Sequence, residues 1–315
     1  MDFCYLTTLG LGAFFREILS NVSNFNICSI CENQQVVIVN EEINLCPATH
    51  HPPLFGRYHI VRPARHKSVG AFSSVFLLHD YDPCTILILK IIKKEYSVIL
   101  HNEHRILSQL WCHTKRIPRT FGYFSSRCFE YLVQEALLPL PSLSTCKDYR
   151  SKQDFLRILL LDILSLLKVM HDADLVHGDI KPDNILYRGT PFARYRFQLI
   201  DFGNSLSKEQ LLDTKSHQFE LGHVKFRAPE ILSRSPKLTE KIDIWSVGRS
   251  IVELCSAGSG LNSDKVNEKH RRWWIARQCS INDPWFVDLI DSMLHFDPLK
   301  RLSTTQALSH KFFIM

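Results

Sequence analysis

The sequence predicts an α+β fold in two lobes, a small β-rich lobe followed by a larger α-helical one. Three observations carry that expectation. Between Arg57 and Lys94 the apolar residues fall in short runs rich in β-branched and aromatic types, with turns between them. Beyond the break at Pro139-Leu140-Pro141 they recur instead at helical spacing over a long stretch. A chain of 315 residues, 45% of them hydrophobic, is long enough to bury a core in each lobe.

Taken in order, residues 1–56 show no clear period and end in a turn cluster, Pro47 and then His51-Pro52-Pro53. This stretch is expected to be a poorly ordered or accessory N-terminal segment. Strands are predicted at Tyr58 to Val61, Val75 to Leu78 and Ile86 to Ile92. A helix follows across 96–110, where Val98, Ile99, Glu103, Ile106, Leu107 and Leu110 lie at helical spacing. A second strand pair fits Phe121 to Phe124 and Phe129 to Gln134. The smaller lobe therefore spans about 57–133, a connector 134–138, and the larger lobe 139–313. In the larger lobe Phe155, Leu159, Ile163, Leu166 and Met170 mark one face of a long helix. Leu156, Leu160 and Leu167 widen that face until the helix must be largely buried. A cleft between two lobes is where ligands usually sit.

Composition excludes several classes. With 22% charged residues the chain is neither disordered nor a membrane bundle. The net charge of +6 suits an acidic or phosphorylated partner, but no run of Lys and Arg forms a phosphate-tracking stripe, so direct nucleic-acid binding is not expected. The apolar start from Phe3 to Phe15 is led by Asp2 rather than a cation and is too short to span a bilayer, so neither a secretory signal nor a membrane anchor is expected. Ten scattered cysteines in a chain of this size read as reduced thiols, which places the protein in the nucleus or cytoplasm, the nucleus being favoured. Cys28-x2-Cys31 followed by Cys46-x3-His50 has spacing that a tetrahedral zinc site uses, with His51 competing for the last position. The alternative is chance pairing in a cysteine-rich chain.

The chemistry concentrates in two loops. Val176-His177-Gly178-Asp179-Ile180-Lys181-Pro182-Asp183-Asn184 follows the long helix, and Asp201-Phe202-Gly203 comes 17 residues past Asn184, after the short apolar strand Phe197 to Ile200. Phosphoryl transfer needs an acceptor for the nucleophile's proton, ligands for magnesium and a cation on the transferring oxygens. Asp179 can orient and deprotonate a hydroxyl. Lys181 can neutralise a γ-phosphate, and Asn184 with Asp201 can hold Mg2+ through hard oxygen ligands. The bland alternative, solvated loop residues, explains either loop alone better than both in this order.

These residues resemble the catalytic and magnesium loops of the eukaryotic protein kinase family. The resemblance covers about residues 57–313 and implies the bilobal protein-kinase fold, with ATP and Mg2+ as cofactors and proteins as substrates. Ile88-Leu89-Lys90 resembles the strand carrying the phosphate-binding lysine, and Glu103 falls where the family's lysine-pairing glutamate belongs. Gln134-Glu135-Ala136, with Leu137 next, falls where backbone groups bind adenine, while Gly70 and Val75 match the glycine-rich turn. Ala228-Pro229-Glu230 resembles the close of the activation segment, and Arg301 the arginine that pairs with its glutamate. Asp243-Ile244-Trp245-Ser246-Val247-Gly248 resembles the start of a buried helix whose Asp braces the catalytic loop. Lys181, two positions after Asp179, resembles the serine/threonine branch. Small-molecule kinases also use His-Gly-Asp, but Ala228-Pro229-Glu230, Asp243 and Arg301 belong to a peptide-binding apparatus that they lack.

The chain departs from the family at three places. Ser68, Gly70 and Ser73 stand where three glycines are usual. Gly178 replaces the arginine before the catalytic aspartate, and His223 replaces a threonine whose hydroxyl bridges the family's catalytic Asp and Lys. The thin glycine turn and His223 motivate an alternative, a pseudokinase scaffold with weak or no transfer activity. Trp273-Trp274 is either a partner-binding patch or two core aromatics. Within the family, Gly70 to Leu77, Arg194 to Gly203 and Phe226 to Leu232 resemble the origin-firing kinases (DDK), which implies a cell-cycle role in DNA replication and an activating subunit.

The missing arginine at Gly178 argues against switching by a phosphorylated activation loop, since that side chain would receive the phosphate. Alanine at Thr214, or at Ser205, Ser207 and Ser216, is expected to leave transfer nearly intact in a peptide-phosphorylation assay. A loss of about a hundredfold, ~2.7 kcal/mol, would reverse the inference.

Overall fold

The computed structural model describes residues 37–39, 42–44, 58–63, 73–80, 85–140, 143, 149–188, 197–212, 221–235, 238–256, 269–281 and 283–314. The chain divides into two compact units, 1–93 and 94–315. Most of the N-terminal segment lies outside the described residues, as do the zinc-spaced Cys28, Cys31, Cys46 and His50, and Gly70.

In the first unit, β1 (Val37–Val39) pairs with β2 (Glu42–Asn44), and β3 (Tyr58–Pro63), β4 (Ser73–Asp80) and β5 (Thr85–Lys93) form an antiparallel meander. The expected strands all fall inside these elements. In the β4–β5 register Val75 lies opposite Lys90, so the two share a face of the meander. Leu87, Leu89 and Ile91 occupy the other face and are buried.

The second unit opens with α1 (Ser97–Trp111), whose buried stripe is Leu100, Glu103, Ile106, Leu107 and Leu110. A carboxylate thus occupies a position on an otherwise apolar face. The hairpin β6 (Thr120–Ser125) and β7 (Phe129–Glu135) follows, then β8 (Leu138–Pro139) and α2 (Tyr149–Asp172). Helix α2 carries Leu156, Leu159, Leu160, Ile163, Leu166, Leu167 and Met170 into the core with no exposed surface, as the widened apolar face predicts.

Four short strands then frame the two loops that carry the chemistry. Strand β9 (Leu175–Val176) pairs with β12 (Leu206–Ser207), and β10 (Ile185–Tyr187) pairs with β11 (Phe197–Leu199). Because β9 and β10 bracket 177–184 while β11 and β12 bracket 200–205, the two ladders hold both loops side by side. The remaining helices are α3 (Lys208–Leu212), α4 (Pro229–Leu232), α5 (Lys241–Ser256), α6 (Arg271–Cys279), α7 (Pro284–Met293), α8 (Thr304–Leu308) and α9 (Lys311–Ile314). Helix α5 is buried nearly all round, so polar groups on it must find partners inside the protein. Trp273 and Trp274 divide between the two sequence readings: Trp274 is core, while Trp273 is 60% exposed beside the Arg277 guanidinium.

Arg301 closes this helical core. Its guanidinium makes a bidentate pair with Glu230, at 2.6 Å and 2.9 Å, donates to the carbonyls of His295 and Lys241, and stands over Trp245. Both charges are buried. Removing one strands the other: Arg301→Met is expected to destabilise by ~3–5 kcal/mol in urea unfolding. The double variant Glu230→Gln/Arg301→Met should recover part of that loss. A single-variant cost near zero would show that the pair does not organise the unit.

Candidate active site

The loop after β9 is shaped by one carboxylate. Asp174 adopts a left-handed φ of 55° and turns the chain into β9, and Gly178 takes φ 78° two residues beyond it. Such a turn leaves its backbone N–H groups without ladder partners. Asp243, in the first turn of α5, supplies them: its Oδ2 accepts from the N–H of His177 and its Oδ1 from the N–H of Gly178, both at 2.9 Å. Nε2 of His171, on α2, lies 3.0 Å from the same Oδ2. Burial works to raise the Asp243 pKa, but the His171 hydrogen bond, the charges of His171 and His177 and the Gly178 N–H outweigh it and hold the carboxyl below its usual range.

Asp179 is therefore delivered by a fixed backbone. Its Oδ2 accepts from Lys181 Nζ at 2.6 Å and from Asn184 Nδ2 at 3.3 Å, and its Oδ1 accepts from the backbone N–H of His223 at 3.0 Å. The expected catalytic trio thus meets at one carboxylate. The His223 ring itself turns away: its Nδ1 accepts from the Lys225 N–H and caps the short turn Val224–Phe226. At this position the contact to Asp179 is made by the main chain, not by the side chain. Gly178, Asp179, Leu221, Gly222, Phe226 and Arg227 line a small recess.

Asn184 also donates to the Asp179 carbonyl at 2.8 Å, and no donor among the described residues reaches its Oδ1. The Ile200 N–H donates to the Asn184 carbonyl at 2.9 Å, so the β10–β11 ladder sets Asn184 beside the residue before Asp201. Asp201 is left-handed, with φ 68° and ψ 67°, a conformation that costs a non-glycine residue ~1 kcal/mol or more. Phe202 is buried and packs 5.0 Å from the His177 ring. Gly203 lies so close to α1 that a Cβ there would sit 2.5 Å from Ile99 Cγ2.

Glu103 is 1% exposed, and its Oε1 accepts from Gln134 Nε2 at 3.1 Å. Glu135 turns its side chain to Arg188, at 2.6 Å, and to the Arg119 N–H, while its own N–H donates to the Arg119 carbonyl. Its carboxylate is thus committed to protein, which leaves only its backbone for the expected adenine contact. Leu137, half-buried, begins the stretch past β7. In the first unit Lys90 is 8% exposed and opposite Val75.

The sequence reading missed four participants. Gln134 was read only for its backbone, yet its amide holds Glu103. Asn102, beside Glu103, donates to the carbonyls of Gly203 and Ser205. His171 marks no motif, and only its place one helical face away from the loop could have flagged it. Ser205 differs from the other serines grouped with it: it is buried, and its hydroxyl donates to the His177 carbonyl at 3.2 Å, so Ser205→Ala probes packing rather than modification.

With this geometry established, the comparisons identify the class. The protein kinase domain family matches residues 68–313, and the chain belongs to that family. Its relatives place it on the serine/threonine side. The mitogen-activated protein kinase 2 of Pneumocystis carinii is 26% identical over 291 residues, covering 82% of this chain and 80% of that protein. The mitogen-activated protein kinase PMK11 of Pyricularia oryzae is 25% identical over 294 residues, covering 82% and 78%. The mitogen-activated protein kinase mpk-1 of Caenorhabditis elegans is 29% identical over 216 residues, covering 58% and 48%.

His177 gives the site a pH signature. Burial holds its pKa below the usual imidazole value, against the pull of the Asp243, Asp179 and Asp201 charges and the Ile200 carbonyl. The unfolded chain therefore takes up a proton that the folded protein refuses. The stability this contributes is complete above about pH 6.5 and is lost as pH falls below it. Asp243, also lowered, acts in the same sense but in the more acidic carboxylate range. Urea unfolding is expected to show stability falling from pH 7.5 to 5.5, with a flatter profile for His177→Gln. An unchanged slope in that variant would assign the dependence to other groups.

Proposed function

We propose that this protein transfers the γ-phosphoryl group of ATP to serine or threonine hydroxyls of protein substrates, with Asp179 receiving the hydroxyl proton. The observation that carries this reading is the Asp179 carboxylate, oriented on both oxygens by Lys181, Asn184 and the His223 N–H beside a small recess. Oδ1, which accepts only the His223 N–H among the described residues, keeps a lone pair for an incoming hydroxyl. Lys181, 2.6 Å from that carboxylate, is placed to follow the charge onto transferred oxygens.

The donor set fits a hard divalent cation. Asn184 spends its amide nitrogen on Asp179, which leaves a carbonyl oxygen, and Asp201 adds a carboxylate. Asn184 and Asp201 would hold Mg2+. Lys90 would meet the phosphates with Glu103 as its supporting anion, and Gly70, Val75, Glu135 and Leu137 would contact the nucleotide. When bound, Mg2+ and ATP supply the phosphoryl group and the neutralisation of its charge. The protein's own contribution is orientation of the acceptor and removal of its proton.

The pseudokinase alternative rested on His223 and the thin glycine turn. The main-chain donation from His223 to Asp179 supports the active reading, since it holds Asp179 Oδ1 whatever the side chain at 223. For the subfamily, the names of the relatives favour a kinase of the mitogen-activated type. The origin-firing reading, with its cell-cycle role, nuclear site and activating subunit, rests on the runs at 70–77, 194–203 and 226–232. Transfer by the isolated chain would remove the need for an activating subunit and with it that reading.

The test is transfer from Mg-ATP to a generic protein substrate. Lys90→Met and Asp201→Ala are expected to abolish it. Asp179→Asn should lower kcat by about a hundredfold or more with little change in the KM for ATP, because its role lies in the transition state. An Asp179→Asn enzyme that keeps a tenth of wild-type turnover would remove Asp179 as the base.

A further inference from the structure

Asn102 sits on α1 immediately before Glu103, half-buried, and all of its amide's hydrogen-bonding groups are engaged. Nδ2 donates to the Gly203 carbonyl at 3.0 Å and to the Ser205 carbonyl at 2.9 Å, so both amide hydrogens are used. Oδ1 accepts from Arg105 Nη2 at 2.8 Å, which fixes the amide's orientation from the other side. A polar residue merely facing water from a helix would not spend both donors on acceptors a hundred residues away.

We propose that Asn102 is a positioning residue for Asp201: its amide staples the turn after Asp201 to α1 and so holds Asp201 in its left-handed conformation. The inference rests on reading Asp201 as a magnesium ligand. The turn Phe202–Asn204 is three residues long and closes on itself through the Ser205 N–H to the Phe202 carbonyl. One such bond, worth ~1 kcal/mol, barely offsets the cost of the Asp201 backbone. Two further bonds from Asn102, with Ile99 packed on Gly203, make the turn over-determined. Ser205 extends the tie, because its hydroxyl donates to the His177 carbonyl while the His177 N–H donates to Asp243. A continuous polar chain thus runs from α1 through the turn and the catalytic loop to α5.

The residue type is specific. Aspartate has the same shape but no donors, and would set a carboxylate against two carbonyl oxygens. Leucine has neither group. The amide is neutral, so the staple is complete without a phosphate or other added anion.

The full-length chain carrying Asn102→Asp is the first test, with Asn102→Ala read the same way if the aspartate variant does not fold, and Asn102→Gln as the conservative rescue. Three quantities are measured: the Mg2+ concentration for half-maximal transfer, the rise in melting temperature on adding Mg-ADP, and the melting temperature without ligand. Asn102→Asp is expected to raise the Mg2+ requirement at least tenfold, equal to ~1.4 kcal/mol, and to shrink the Mg-ADP shift. Asn102→Gln should recover part of both. A variant that lowers only the ligand-free melting temperature, or leaves the Mg2+ response at its wild-type value, overturns the proposal. Asp201→Ala separates the two claims. If it keeps the wild-type Mg2+ response, the reading of Asp201 itself fails; if it loses that response while Asn102→Asp does not, only the staple fails.

Discussion

A buried carboxylate at the start of α5 is the constraint on which the rest of the site depends. Asp243 is 1% exposed, and a charge so placed persists only when donors replace the water it has lost. Two of its three donors among the described residues are the N–H groups of His177 and Gly178, which lie in a loop that is neither helix nor strand. Each side therefore satisfies a need of the other: the anion is neutralised by backbone dipoles, and the backbone is locked by the anion. Asp179 comes next in the chain, so its position is inherited from this arrangement. The position of Asp243 in the first turn of its helix adds the favourable end of the helix dipole.

A second constraint acts on Asp201. The β9–β12 and β10–β11 ladders bring the two loops together, but ladders alone do not produce a left-handed aspartate between them. That comes from the far side, where α1 meets the turn through Ile99, Gly203 and Asn102. The same helix carries Glu103 into the interior, held by Gln134. Helix α1 thus couples the setting of one carboxylate to that of the other. Displacing it would release both.

The fold was legible in the sequence because it is written in periodicity. The strands of the first unit, α1, the β6–β7 hairpin and the apolar faces of α2 all follow from spacing alone. Asp179, Lys181 and Asn184 were legible because they fall within one six-residue stretch, and Arg301 with Glu230 was legible through resemblance. What escaped were contacts between distant stretches made by residues of unremarkable type. Gln134 to Glu103, Asn102 to Gly203 and His171 to Asp243 leave no period and no motif. His223 escaped for a different reason. Reading by side-chain type asks what an imidazole could do in place of a hydroxyl, whereas the contact is made by an N–H that nearly every residue possesses.

Gly178, the departure beside Asp179, has its own physical reason. At φ 78° any residue with a Cβ is strained by ~1–3 kcal/mol, and a Cβ on Gly178 would press within 3.3 Å of the Asn204 carbonyl and of Leu221. An arginine at this position would carry that cost and would need an anion to compensate its charge. Glycine removes both requirements. The loop is then held by Asp243 on one side, and by Ser205 and the His223 N–H on the other, all neutral donors or carbonyl acceptors apart from the one buried carboxylate and Asp179 itself. An assembly of this kind is complete within the folded chain, so its population follows from folding free energy rather than from an added charge. The amide staple at Asn102 is of the same kind, a neutral group on carbonyl acceptors that needs no added anion.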